Sequence, residues 1–189
     1  MAQDLVPKSP SLESLRRFFS KWTRIAFSDL GLQDEEIHSY VSNLLTRFAR
    51  TDSLYRIRNL AGNPLYTVVE MLLEAEHFAH PSEPLFNPFH EREIRKHVAD
   101  YTLFMTGIFR EYVERLGVMD YYMKEGERSY YQVYEFDSVL AKPESYLFRE
   151  LFQHFENISG ALNYLKKVYF RPEMHRGEYQ SLMEQLSNW

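Results

Sequence analysis

At 189 residues, with 22 Lys plus Arg against 27 Asp plus Glu, the chain carries a net charge of -5, which argues against a surface devoted to nucleic acid. It contains no Cys, so disulfides, thiolate metal sites and cysteine nucleophiles are excluded together, and the default setting is a reducing cytoplasm. Aromatic residues make up 16% of it, with 14 Tyr and 14 Phe against only 7 Gly, so rings must fill a core, an interface between copies or an apolar pocket.

Residues 1–10 lack the apolar core of a signal peptide and are expected to form a flexible tail, with 11–189 as one helical domain. Leu12, Leu15, Phe18, Phe19, Trp22, Ile25 and Ala26 recur at three-to-four spacing, and Ser9-Pro10-Ser11 supplies cap and first-turn chemistry for this first helix. Gly31 breaks the chain and Asp34 caps a second helix whose stripe is Ile37, Val41, Leu44, Leu45 and Phe48, so the two form a hairpin. A short helix is expected from Asp52 or Ser53 through Leu60, ended by Gly62, and Asn63-Pro64 is expected to start the next, which runs to about Phe78. Residues 79–89 hold three prolines and should be the longest ordered loop, of a length that can serve as a lid.

From Pro88 or His90 a long helix is expected to reach Leu116 and stop at Gly117, apolar on nearly every side in its middle and therefore central. Its most apolar run, Val98 to Phe109, contains Asp100 and does not read as a membrane span. Asp120 opens a helix to about Leu140 with the stripe Tyr122, Met123, Gly126, Tyr130, Val133, Tyr134, Asp137 and Leu140. Pro143 begins a stripe from Leu147 to Tyr169 that reads as one helix kinked at Ser159-Gly160, and a terminal helix covers Tyr179 to Leu186. No period-two run with hairpin turns and no solenoid repeat occurs, so the class is all-α, an orthogonal or irregular bundle of about seven or eight helices without a sheet. Gly107 and Gly126 sit inside helical patterns, where glycine costs about 0.5–1 kcal/mol against alanine, so a close helix crossing is expected at them.

Three carboxylates interrupt these apolar stripes. On a helical wheel Glu76 projects between Leu65 and Val69, Asp137 between Gly126 and Tyr130, and Asp100 lies at a border beside His97, Phe104 and Gly107. A buried carboxylate left unpaired is costly, so each must be exposed at an edge, paired, hydrogen-bonded, protonated or ligand-bound. At least two are expected to converge between central helices, satisfied by Arg56 or Arg58, by hydroxyls such as Tyr101 and Tyr130, or by a ligand; a salt-linked network that only specifies packing satisfies the same pattern. Glu74-x-x-His77, with Glu70, is half of the carboxylate-histidine motif of helical di-iron proteins, but no second Glu-x-x-His occurs and these residues lie on the polar face. Glu93, His97 and Asp100 give i, i+4 and i+7 positions, also without a partner motif, so no metal or other cofactor is expected. Nucleophile elbows and glycine-rich phosphate loops are absent. Arg17, Lys21 and Arg24 oppose the apolar stripe of the first helix, the layout of a basic amphipathic helix.

The stretch Asp100-Tyr-Thr-Leu-Phe-Met-Thr-Gly-Ile-Phe109, followed by Tyr121-Tyr122 and Gly126-x-x-Ser129-Tyr130, resembles a pattern in helical bacterial proteins of unknown function. The resemblance implies a bacterial, soluble, helical protein, with Asp100, Gly107, Gly126 and Tyr130 as its signature, and brings no catalytic residues. The expected role is binding or assembly, as a homo-oligomer with aromatic-rich helix surfaces. Its sharpest form is a pocket for a small apolar or aromatic ligand, lined by Tyr101, Phe104, Tyr130 and Tyr134 and anchored by Asp100 or Asp137. The alternatives are a metal-dependent helical oxidase or cofactor-binding enzyme, and a peripheral membrane or nucleic-acid adaptor acting through the first helix.

Overall fold

The structure, a computed structural model, describes residues 10–188, so most of the expected tail lies outside the described residues. The protein is all-α: among the described residues the only extended pairing is an isolated antiparallel bridge between Arg58 and Pro64. No described helix is long and apolar enough to cross a membrane.

Helix α1 (Leu12–Asp29) starts where the Ser11 side chain accepts from the Ser14 backbone N–H, and α2 (Glu35–Phe48) where Asp34 accepts from Glu36 and Ile37. They pack as the expected hairpin around Gly31, whose φ of +75° suits glycine. Helix α3 (Thr51–Leu54) is a single turn. The chain then runs without helix from Tyr55 to Thr67, so the longest loop lies here and not at the prolines, whose loop spans only His80 to Asn87. In place of the expected helix through Leu60, the Asn59 side chain accepts from Ala61 and Asn63, and Leu65 bonds back to Ile57.

Helix α4 (Val68–Ala79) begins four residues after Pro64, because Thr67 and Glu70 form a reciprocal capping box. That start resets the wheel. The inward stripe is Val68, Met71, Ala75 and Phe78, with Glu74 also buried at 6% exposure, while the Glu76 side chain is half exposed. Anchoring the phase on Leu65, which lies outside the helix, is what placed Glu76 in the core in error.

Helix α5 (Pro88–Ile108) is central as expected and packs against α4, α7 (Met119–Val139) and α9 (Phe155–Tyr169). It ends eight residues early at Phe109, and α6 (Arg110–Arg115) completes the segment up to Gly117. The last long stripe is likewise divided, at His154, into α8 (Ser145–Gln153) and α9; Gly160 is an ordinary helical position, not a kink. Between α7 and α8 the Lys142 and Ala141 N–H groups bond back to Asp137 and Ser138, a Schellman closure with Ala141 at φ +52° where glycine is usual. A 3-10 turn (Pro172–Met174) and α10 (Glu178–Ser187) end the described chain.

The two helical glycines mark crossings with different partners. A Cβ on Gly107 would lie 2.4 Å from Leu162 Cβ of α9, and one on Gly126 would lie within 2.6 Å of Phe155 and of Thr102 of α5. Gly126 therefore serves the α5/α7 crossing and Gly107 the α5/α9 crossing. The buried apolar side chains, from Leu15 to Met183, form one cluster around α5.

Candidate functional site

The polar residues of α5 are the natural place to look for chemistry, because at 100° per residue each one meets a different neighbour. Asp100 is fully buried, and its two oxygens take four bonds. Oδ1 accepts from Tyr40 at 2.5 Å and Tyr130 at 2.7 Å, while Oδ2 accepts from Arg47 and Lys96, both at 2.9 Å. Tyr40 and Arg47, seven residues apart, share one face of α2; Lys96 is one turn before Asp100; Tyr130 comes from α7.

Burial by itself would push the Asp100 carboxyl up, but the charges of Lys96 and Arg47 and the bond from Tyr40 outweigh it and hold the group well below the usual carboxylate range. Tyr40 and Tyr130 move the other way, raised by burial and by the Asp100 charge beside them. The protons therefore stay on the phenols and the charge on the carboxylate.

Asp137 is also fully buried and is held in bidentate fashion by Arg92 of α5, Nε at 2.8 Å and Nη2 at 2.5 Å, with Lys142 at 3.2 Å. The Schellman turn that places Lys142 is thus part of this pair. Burial, which raises the Asp137 carboxyl, is overcome by the Arg92 bonds and charge, and the group is lowered. The half-exposed Glu76 meets the buried Arg95 at 2.9 Å. The three carboxylates do not converge: each sits on a separate α5 contact, with α2 and α7, with α7 alone, and with α4.

Arg56 and Arg58 touch none of them. Arg58 donates to the Gly62 carbonyl, and Arg56 Nε donates to Nδ1 of the fully buried His97 at 3.1 Å. On its other side His97 Nε2 lies 2.9 Å from the Leu54 carbonyl, which can only accept, so the ring is the neutral Nε2–H form. Burial first, then the Arg56 charge, lower its pKa to about 4. Both nitrogens are spent, which leaves none for a metal. Glu93 pairs at the surface with Arg92, and the Glu70 carboxylate is used by the Thr67 cap. Among the described residues no group of three His, Asp or Glu side chains could hold a metal ion.

The four rings expected to line one ligand pocket face different neighbours. Tyr101 packs with Tyr55, His97 and Tyr122; Phe104 with Phe48 and Phe109; Tyr130 with Tyr40, Phe148 and Phe155; Tyr134 with Tyr131 and Phe152. The crevice beside Phe104 measures about 50 Å³, room for one or two waters rather than a ligand. A larger groove, about 550 Å³, lies where the half-buried Tyr40 meets Glu36, Pro143 and Leu147. On α1, Arg17 pairs with Glu13 at 3.0 Å, Arg24 with Glu35 at 2.8 Å, and Lys21 lies over Trp22, so much of the basic face is engaged within the chain.

Sequence reasoning missed Tyr40, Arg47, Lys96, Arg92 and Lys142. Lys96-x-x-x-Asp100 was available as an i, i+4 pair, and Lys142 lies five residues after Asp137 but is brought to it only by the turn that ends α7; Tyr40, Arg47 and Arg92 join helices far apart in the chain and leave no local trace. No known protein family, curated protein or solved structure matches the chain. The resemblance of residues 100–130 therefore assigns no residue roles, although Asp100 and Tyr130 of its signature are bonded to each other.

Proposed function

We propose that the protein works by assembly, pairing with a second copy of itself through the outer face of α4. The observation that carries this reading is the pair Val69 and Leu73, one turn apart on the outside of α4 and exposed at 52% and 62%, continued by Tyr66 of the preceding loop at 57%, while the other side of the helix is packed on α5. Exposed apolar side chains in a continuous row on a regular helix favour a partner, whereas scattered ones do not. A twofold pair is favoured because it sets the same row against itself and closes without leaving a free face. With the helices antiparallel, the acidic first turn at Glu70 lies beside the His77 end of the other helix, and the two macrodipoles oppose.

A stable pair needs about 800 Å² from each partner, more than three side chains provide, so exposed Leu60 in the preceding loop is included in the contact. The test is solution mass by light scattering. A dimer is expected, and Val69→Asp with Leu73→Asp is expected to return it to a monomer while changing the unfolding free energy of the chain by about 0.5 kcal/mol or less, since both positions face solvent. A monomeric native protein at all concentrations, or a dimer indifferent to the double substitution, overturns the reading.

A further inference from the structure

The turn between α1 and α2, the start of α6 and one face of α9 border a groove of about 600 Å³ lined by Leu30, Leu32, Arg110, Glu156, Gly160 and Asn163. Small-molecule sites span about 300–1,000 Å³. It shares no residue with the α4 face, so what happens here is independent of assembly.

Its charged residues are unspent. Arg110 makes one bond, from Nη2 to Ser159 Oγ at 3.1 Å, and that hydroxyl donates on to Thr106; the guanidinium has no carboxylate within ion-pair distance among the described residues. Glu156, on the same wall, has no cation. It stands near enough to Glu127 that its charge adds to burial in raising the Glu127 carboxyl. A lone cation and a lone anion thus line one groove without meeting each other.

Two buried polar atoms in the same lining also lack partners, the Arg110 Nε donor and the Asn163 Oδ1 acceptor. Glu156, Gly160 and Asn163 fall on one face of α9, and Gly160 leaves its centre bare: a Cβ there meets nothing within 4 Å. Leu30 and Leu32 supply an apolar edge.

We propose that this groove binds a small zwitterion that has a free α-amino and a free α-carboxylate end and an apolar side chain, a free amino acid or a short peptide. Its carboxylate accepts from the Nη1 N–H groups of Arg110, leaving Nη2 on Ser159. Its ammonium donates to the Glu156 carboxylate. The side chain lies on Leu30 and Leu32. A simple anion would leave Glu156 repelling it, and a simple cation would leave Arg110 repelling it; only a ligand with both charges satisfies both walls.

Calorimetric titration of the full chain tests this with L-leucine and the dipeptide Leu-Leu as the two sources, and with N-acetylleucine and leucine amide as end-blocked probes. Leucine, the dipeptide or both are expected to bind with Kd below about 1 mM, and blocking either end to weaken binding by about tenfold or more. Arg110→Gln should abolish the preference for a free carboxylate. Because Arg110 also holds Ser159, a second variant guards against misfolding: Gly160→Leu fills open space on a helix, should leave the thermal midpoint unchanged or raised, and should abolish binding. Binding of leucine alone identifies the amino acid as the source, and binding of the dipeptide alone identifies the peptide. No heat from either at about 10 mM, equal binding of the blocked probes, or undiminished binding by Gly160→Leu overturns the proposal.

Discussion

Asp100 takes one charged or phenolic donor at each of four positions around its carboxylate, so its partners are not equivalent to it in what their loss costs. Asp100→Asn removes the charge that Arg47 and Lys96 face and puts an N–H₂ either against these cations, which cannot accept, or against the two phenols, which must then turn from donors to acceptors, for an expected loss of about 3 kcal/mol. Tyr130→Phe leaves three donors in place and should cost about 1 kcal/mol. Urea denaturation at neutral pH measures both, and equal losses would show that the carboxylate is not the hub. His97 gives a second, pH-dependent reading. Its pKa near 4 in the folded protein lies below the ~6.5 of an unfolded histidine, so between these values the unfolded chain takes up a proton that the folded chain refuses. Stability should therefore be level above pH ~6.5 and fall by up to about 3 kcal/mol as pH drops to ~4. In His97→Gln, whose amide still donates to the Leu54 carbonyl, this slope should vanish; a slope that persists would place its origin elsewhere.

At the scale of helices, three glycines inside helices have three different expected outcomes on replacement by alanine. At Gly107 the new Cβ meets Leu162 Cβ, which is tied to its backbone and cannot swing away, so α5 and α9 must separate at about 3 kcal/mol. At Gly126 it meets the edge of the Phe155 ring and the Thr102 hydroxyl, which can give partly, at about 1–2 kcal/mol. At Gly160 it meets nothing, and the gain in helix propensity should stabilise by about 0.5–1 kcal/mol. Shifts in the urea midpoint at unchanged m-value check all three, and the order Gly107, Gly126, Gly160 is the discriminating result. Helix starts carry a related lesson. Both Asn63-Pro64 and Thr67-x-x-Glu70 are start signals, and the capping box prevailed because it satisfies backbone donors reciprocally, while the Asn59 side chain held the preceding residues in a turn.

For the whole molecule, the buried charges make acid unfolding a two-stage process. The His97 slope comes first, from pH ~6.5 to ~4. Asp100 and Asp137 are both held below the ordinary carboxylate value, so the stability they contribute is present above pH ~4 and is lost as pH falls further and they take up protons. A pH series of unfolding free energies should therefore steepen below pH ~4, and Asp100→Asn should flatten that lower limb while the His97 limb persists and extends to lower pH, because the Asp100 charge raises His97. The sequence by itself determined the all-α class, the central place of α5, the α1/α2 hairpin, and the seats of Asp100 and Asp137 on apolar helix stripes, because amphipathic periodicity and caps act within a few residues of one another. It could not decide what those carboxylates touch, since Arg47, Arg92 and Tyr130 lie 53, 45 and 30 residues from their partners. Nor could it decide the breaks at Phe109 and His154, where the apolar stripe runs on and only packing against neighbouring helices sets the bend. The tertiary structure decided that Tyr101, Phe104, Tyr130 and Tyr134 pack against different neighbours, and that Arg110 and Glu156 line one groove without an ion-pair partner among the described residues. The physical reason is that local periodicity fixes which face of a helix turns inward, but the partner of a buried charge depends on how separate helices cross.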